Sequence, residues 1–405
     1  MTFRLALSGL NAAAADLNVT ANNIANSSTT GFKESRAEFA ELFAVSPQGV
    51  ATLATGNGVR VADIAQQFSQ GNIDFTDNNL DLAISGNGFF VVSDNGSYVY
   101  TRAGAFRTDS SGYVVNAQGQ RLQVFPPVAG GNFNTGALSD LRLVTSESAP
   151  AATSTVELLA NLPADATPPV NGVFNPADPT SFNRATSMTV YDSLGAAHTA
   201  TVYFVKEAAA NEWSMRFYID GTAVGGPDSL VFNAMGGLDT PASGLISMPA
   251  YTPTTGAAAM NITLNISGTT QYGSTFSVGN ITQDGYTTGR LIGIDIDKTG
   301  VVQARFTNGR SLTLGQVALA SFANPNGLQQ LADTTWTETF ASGQPLRGQA
   351  GTSGLGLIQS GALEASNVDI TAQLVNMITA QRNFQANAKM ISTVDAITQT
   401  IINIR

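Results

Sequence analysis

TFRLALSGLNAAAADLNVTANNIA (residues 2–25) and VDITAQLVNMITAQRNFQANAKMISTVDAITQTIINI (residues 368–404) decide the reading of this chain. In the first stretch Phe3, Leu7, Leu10, Ala14, Leu17, Ala21 and Ile24 recur at alternating gaps of four and three. In the second, Ile370, Leu374, Met377, Gln381, Phe384, Ala388 and Ile391 repeat that rhythm. This is the heptad spacing of a coiled coil, which keeps one apolar stripe turned toward a neighbour. Further along, Met390, Val394, Ile397, Ile401 and Ile404 form a second stripe one step over, so the face widens enough to meet more than one neighbour. A stripe on an isolated helix stays wet. The two helices therefore predict packing on each other, on copies of themselves, or both. The blander alternative is an ordinary two-helix contact within one monomer.

The stop signals frame the helices. NSSTTG (26–31) competes for backbone hydrogen bonds, and Gly31 admits positive φ. SNVD (366–369) offers a capping-box-like start for a second helix of roughly 55 Å at 1.5 Å per residue. No proline occurs in 1–46 or 346–405, and no glycine follows Gly361. After the first helix comes a short amphipathic piece with Phe32, Phe39, Leu42 and Phe43 on one side. A loop punctuated by Pro47, Gly49, Gly56 and Gly58 follows it.

From about residue 71 the period changes to two. GFFVVSDNGSYVYT (88–101) reads as strand, tight Asp94-Asn95-Gly96 turn, strand. Turns at 109–112 and 116–119 follow, and the stretch 290–320 repeats the habit around Asp297–Gly300 and Thr307–Gly309. These β stretches predict one domain interrupted by an insert. Ten of the fifteen prolines lie between Pro150 and Pro253, and 163–180 is a Pro/Ala/Asp/Asn linker. The expected class is α+β and multidomain, a discontinuous layout in which a second mainly-β domain is inserted in a first. Its segments are 1–70 (N-terminal axial helix and linker), 71–145 (first β part), 146–284 (inserted acidic domain), 285–362 (second β part) and 363–405 (C-terminal axial helix).

Charge supports that division. The 405 residues are 43% hydrophobic and only 12% charged, so large surfaces are cheap to desolvate against another subunit. An extracellular β protein would share that composition. The net charge of −10 argues against a nucleic-acid partner, since little here neutralises phosphates. Residues 145–284 carry eleven acidic and three basic side chains, which suits a solvated domain. There is no cysteine for a disulfide framework, no apolar run long enough for a membrane span, and no basic-then-apolar start of a cleaved signal peptide.

No catalytic, cofactor-binding or metal constellation emerges. His198 is the only histidine, and no Gly-x-Ser-x-Gly elbow accompanies it, so a structural role is expected. Gly86-Asn-Gly88 and Gly354-Leu-Gly356 do not complete a phosphate loop and read as turns. Asp77 with Asp81, and Asp295 with Asp297, lack EF-hand spacing and read as solvated strand-edge carboxylates. Phe89, Phe90, Tyr98 and Tyr100 alternate across a sheet, for which cross-strand packing is the commoner meaning than a carbohydrate platform.

SGLNAAAADLNVTANNIAN (8–26) followed by TGFK (30–33) resembles the N-terminal signature of bacterial flagellar axial proteins, the rod, hook and hook-associated proteins. Asn22, Asn23, Ile24, Asn26, Gly31, Phe32 and Lys33 are its motif positions here. GALEASNVD (361–369), LVNMI (374–378) and AQRNFQAN (380–387) resemble the C-terminal signature of the same family. VYDSLGAAHTATVYF (190–204) is similar to the outer domain of its hook members. The resemblance implies a homopolymer of many copies in a helical, curved tube that joins the basal-body rod to the filament. It implies a rod protein as partner at the base, a hook-associated junction protein and a hook cap at the tip, and export through the flagellar apparatus without a cleaved signal peptide. It implies an extracellular place in the flagellum, with no membrane or nucleic-acid partner. The assembly seam expected on this reading is Phe3, Leu7, Leu10, Leu17 and Ile24 on the first helix. On the second it is Ile370, Leu374, Met377, Phe384, Ile391, Val394, Ile397 and Ile401. A distal rod or hook-associated protein is the alternative within the family. An adhesin with a helical stalk is the rival outside it.

Overall fold

A computed structural model describes residues 2–42, 56–143 and 147–403. Helices stand at both ends, α1 at Thr2–Ala25 and α2 at Ile370–Asn403, and everything between them is mainly β. Contacts divide the chain into two compact units. The first holds 1–145, 293–305 and 311–405, and the second holds 146–292 with 306–310. The second unit thus runs to Ile292, past the 284 expected from composition, and takes in the 306–310 turn. The reason is backbone pairing in the stretch after 284. Tyr286 and Ala151 exchange hydrogen bonds, as do Gly289 and Ser148, and Thr307 N donates to the Arg290 carbonyl.

The first unit is organised by Phe89–Asp94. Its FFVV run alternates Phe89 and Val91 to one face with Phe90 and Val92 to the other, and all four are buried. A strand apolar on both faces belongs in the middle of a covered sheet. Its neighbours are Ser97–Thr101, across the Asn95–Gly96 turn, and Arg121–Phe125. Arg121–Phe125 pairs in turn with Ser311–Val317, which pairs with Val301–Phe306. Strands from before and after the second unit therefore share one sheet. One face packs Leu82, Ile84, Phe90, Val92, Leu122, Val124, Val302 and Leu319. The other packs Phe89, Tyr100, Phe125, Phe322 and Trp336, where Phe68, Phe89 and Trp336 meet edge to face at 5.5–5.7 Å. Tyr98 alone of the four aromatics looks outward, under the Arg347 guanidinium at 4.7 Å.

The amphipathic piece after α1 is a strand, Ser35–Glu41, paired antiparallel with Val59–Gln66 through a bulge at Glu38/Phe39. Phe43, Pro47 and Gly49 of the expected loop lie outside the described residues.

The second unit builds its core from two sheets. Thr155–Pro163 pairs with Ser277–Gln283, Thr263–Asn265 and Thr270–Tyr272. Arg184–Tyr191, Ala197–Lys206, Glu212–Ile219 and Asp228–Phe232 run as an antiparallel set. Alternate residues enter one cluster, including Leu158, Val202, Phe204, Trp213, Phe217 and Leu230. The rest of each strand faces out, as period-two patterning requires.

Candidate functional site

The sequence singles out the two termini, and in the first unit they are brought together. α1 and α2 pack along each other in opposite directions, with Asn23 beside Gln373 and Gly9 beside Asn387. The inner side of α2 carries Gln373 and Ala380, both buried, with Met377, Phe384, Asn387, Ile391 and Val394 half-buried. α1 buries Ala6, Ala12, Ala13, Val19, Thr20 and Asn23 against α2 and the Ser35–Glu41/Val59–Gln66 pair. Gly9 interrupts α1 with a residue that weakens helices. A Cβ there would come within 2.5 Å of Asn387 Oδ1, so its smallness sets the approach of the two helices.

The large apolar residues divide. Leu10, Leu17 and Ile24 are half-buried, as are Met377, Phe384, Ile391 and Val394. Phe3 (49% exposed), Leu7 (41%), Ile370 (50%), Leu374 (47%) and Ile397 (55%) lie open on the outside of the pair. The Ile401 side chain lies outside the described residues. The inside of this helix pair thus combines small and polar groups with half-buried apolar ones, while five large hydrophobic residues of the expected seam stand outside it.

Below the helices the motif residues form a junction that the sequence left without a role. Asn23 Nδ2 donates to the Ser35 carbonyl at 2.7 Å, and its Oδ1 accepts the Ser35 amide at 2.9 Å. Asn26 caps the end of α1 by donating from Nδ2 to the Asn22 carbonyl at 3.0 Å, which also receives the Asn26 amide, and its Oδ1 accepts the Thr29 hydroxyl at 3.1 Å. Gly31 takes φ +69°, its N–H donates to the Glu364 carbonyl, and a Cβ there would run into Ala103. Phe32 is buried beside it. Lys33 then reaches inward, with Nζ 2.6 Å from Glu364 Oε1 and 2.7 Å from the Ser69 carbonyl. Arg102 closes the cluster, donating from Nη1 to Glu364 Oε2 at 3.1 Å and from Nη2 to the Gly86 carbonyl at 2.8 Å.

All three charges are buried. Burial pulls both the Lys33 ammonium and the Arg102 guanidinium below their ordinary pKa, and Glu364 works against that pull. One carboxylate holding two buried cations ties the segment after α1, the β body and the segment before α2 to a single point.

Asn367 and Gln373 extend the tie. Asn367 accepts the Glu34 amide at 2.7 Å and donates to the Gln67 carbonyl at 2.8 Å; Gln373 donates to Glu34 Oε1 at 2.7 Å. The helix start differs from the expected box. Asp369, and not Ser366, accepts the amides of Thr371 and Ala372, so α2 begins at Ile370.

The remaining candidates resolve into structural roles. Asp297 caps its own turn through the Thr299 and Val301 amides, Asp295 pairs with Arg305 at 2.8 Å, and Asp81 accepts from Thr76 and Asn78. Both ring nitrogens of His198 face carboxylates, which leaves none for a serine. No helix among the described residues is long and apolar enough to cross a membrane.

Comparison with known proteins identifies the arrangement. Residues 3–33 match the family described as flagella basal body rod protein, and 359–404 match the flagellar basal body rod FlgEFG protein C-terminal family. Residues 83–167 match the flagellar hook protein FlgE/F/G D1 domain, and 161–286 the flagellar basal body protein FlaE D2 domain. The chain is 39% identical to the flagellar hook protein FlgE of Salmonella typhimurium and to that of Escherichia coli, with all of each chain covered. It is 33% identical to the FlgE of Borreliella burgdorferi over 98% of each chain. The chain belongs to the flagellar hook protein FlgE family. It is a hook subunit, a structural part of the flagellum that serves motility. A crystal structure of Helicobacter pylori FlgE2 shares the fold, with a TM-score of 0.53 at 14% identity, over 72% of this chain and all of that one.

Proposed function

We propose that the outer stripe of the terminal helix pair is the surface through which copies of this chain polymerise into a curved hook tube. The observation that carries this is the exposure of Phe3, Leu7, Ile370 and Leu374 on helices whose inner side is already filled by Ala, Asn and Gln together with Met377, Phe384 and Ile391. Large side chains left in water on a helix that already has one partner gain most by meeting another. In the tube the helices form a coiled-coil inner layer from many subunits. The second unit is the inserted acidic module of the outer layer. Its net charge favours wet, weak contacts that can slide as the tube bends. A rod protein at the base, a hook-associated junction protein and a cap at the tip are the partners proposed, with export as an unfolded chain. Sedimentation of the purified chain, with electron microscopy of the pellet, is expected to show tubes. Compact oligomers of a few subunits at every concentration and salt tested would overturn the reading.

A further inference from the structure

The second unit buries the chain's only histidine between two acids. His198 stands on the strand Ala197–Lys206, with Nδ1 2.6 Å from Asp220 Oδ2 and Nε2 3.2 Å from Asp192 Oδ2. Asp192 closes the hairpin turn before that strand. Its Oδ1 accepts the amides of Leu194 and Ala196, and its Oδ2 accepts the Thr255 hydroxyl at 2.7 Å. Asp220 closes the turn after Glu212–Ile219 at φ +47°, and its Oδ1 accepts the Thr199 amide. The Tyr251 ring stands edge-on to the imidazole at 6.2 Å. Asp192, Asp220 and Tyr251 are the titratable groups that face it. Among the described residues neither acid pairs with a lysine or arginine.

A neutral imidazole carries one N–H and one lone pair. It can therefore donate to one carboxylate only, and it turns its lone pair on the other. Imidazolium donates to both. The two acids are not equivalent. The Asp192 side chain is fully buried and holds three other donors, while that of Asp220 is 43% exposed and holds one amide. When the proton leaves, Asp220 is the partner that can turn to water.

We propose that His198 is a proton-operated latch. When charged, it pins the Asp220–Gly221 turn to the Asp192–Ala196 turn; when neutral, it keeps Asp192 and releases the Asp220 turn. Burial disfavours the charged ring, but hydrogen bonds to Asp220 and Asp192 outweigh it and raise the pKa above the usual 6.5. Release therefore falls on the alkaline side of that value. The latch is complete within one chain and does not rest on polymerisation.

The test uses the full chain with ¹⁵N-labelled histidine, where a single residue gives an unambiguous ring spectrum. From about pH 5 to about 9 the ring is expected to titrate with a midpoint above 6.5. Amide exchange, corrected for the intrinsic rate, is expected to speed up at 218–223 through the same midpoint, with 192–196 staying protected. Asp220→Asn is expected to lower the midpoint and abolish the step at 218–223. A wild-type midpoint at or below 6.5, no exchange step, or opening of 192–196 in place of 218–223 overturns the proposal. The wild-type measurements decide it even if the variant does not fold.

Discussion

The terminal helix pair and the second unit bury opposite kinds of residue. The second unit hides Trp213, Phe204, Phe217 and Leu230 and shows water a strongly acidic surface. The helix pair hides Ala6, Ala13, Ala380, Asn23 and Gln373 and shows water Phe3, Leu7, Ile370 and Leu374. The first pattern is that of a finished domain. On the proposed reading the second is half of a core that neighbouring subunits complete. Exposure would then mark assembly in one region and mere solvation in the other, and substitution should separate them.

The largest effect is expected where the helix pair is incomplete. Leu374→Asp should leave the single chain within about 0.5 kcal/mol of wild type, since the site is open there. It should nevertheless abolish tube formation, because an unpaired carboxylate buried in the polymer costs several kcal/mol. Circular-dichroism melting beside sedimentation reads both, and normal tubes from this variant would break the comparison. Glu364→Ala should lower the stability of the first unit by about 3–5 kcal/mol by leaving Lys33 and Arg102 buried without a counter-charge. Urea titration checks it, followed by exchange at Gly31 and at Gly71, whose amide donates to Glu364 Oε1 at 3.0 Å. Trp213→Ala should cost the second unit a similar 3–5 kcal/mol. Exchange would localise that loss to 146–292, and spread into α1 and α2 would contradict the two-unit division.

The smallest effect is the pH dependence of the second unit. Asp192 is held near 2, below the usual 3.8: burial alone would raise it, and hydrogen bonds from Thr255, Ala196, His198 and Leu194 outweigh that. Its stabilisation is present above pH 3.8 and is lost as pH falls toward 2. His198 is shifted upward, so its contribution is present below 6.5 and is lost as pH rises through the higher folded value. Melting temperature should therefore peak between these limits and decline on both sides, whereas His198→Gln should lose the alkaline decline.

The helices were legible because their apolar period is long and free of proline, and the observed α1 coincides with the expected 2–25. The side of each helix that faces its partner was legible only in part. Ranking positions by size selects Leu374 and Ile370, which are open, together with Met377 and Phe384, which are half-buried, and passes over Gln373, Ala380 and Asn387 in the contact between the helices. The strand Ser35–Glu41 escaped a firm reading because its residues are half-exposed on both faces, which blurs the alternation. The junction was invisible for a different reason. Lys33 and Glu364 are 331 residues apart, and no local pattern announces a pair at that range. The only hint was that both fall inside the two signatures that the family resemblance picked out.

That separation makes the junction a completeness check. A chain emerging from its N-terminus delivers Lys33 early and Arg102 later, yet neither has its counter-ion until residue 364 arrives. A product cut short before that point leaves both cations without a counter-charge, and burying them then costs the first unit several kcal/mol.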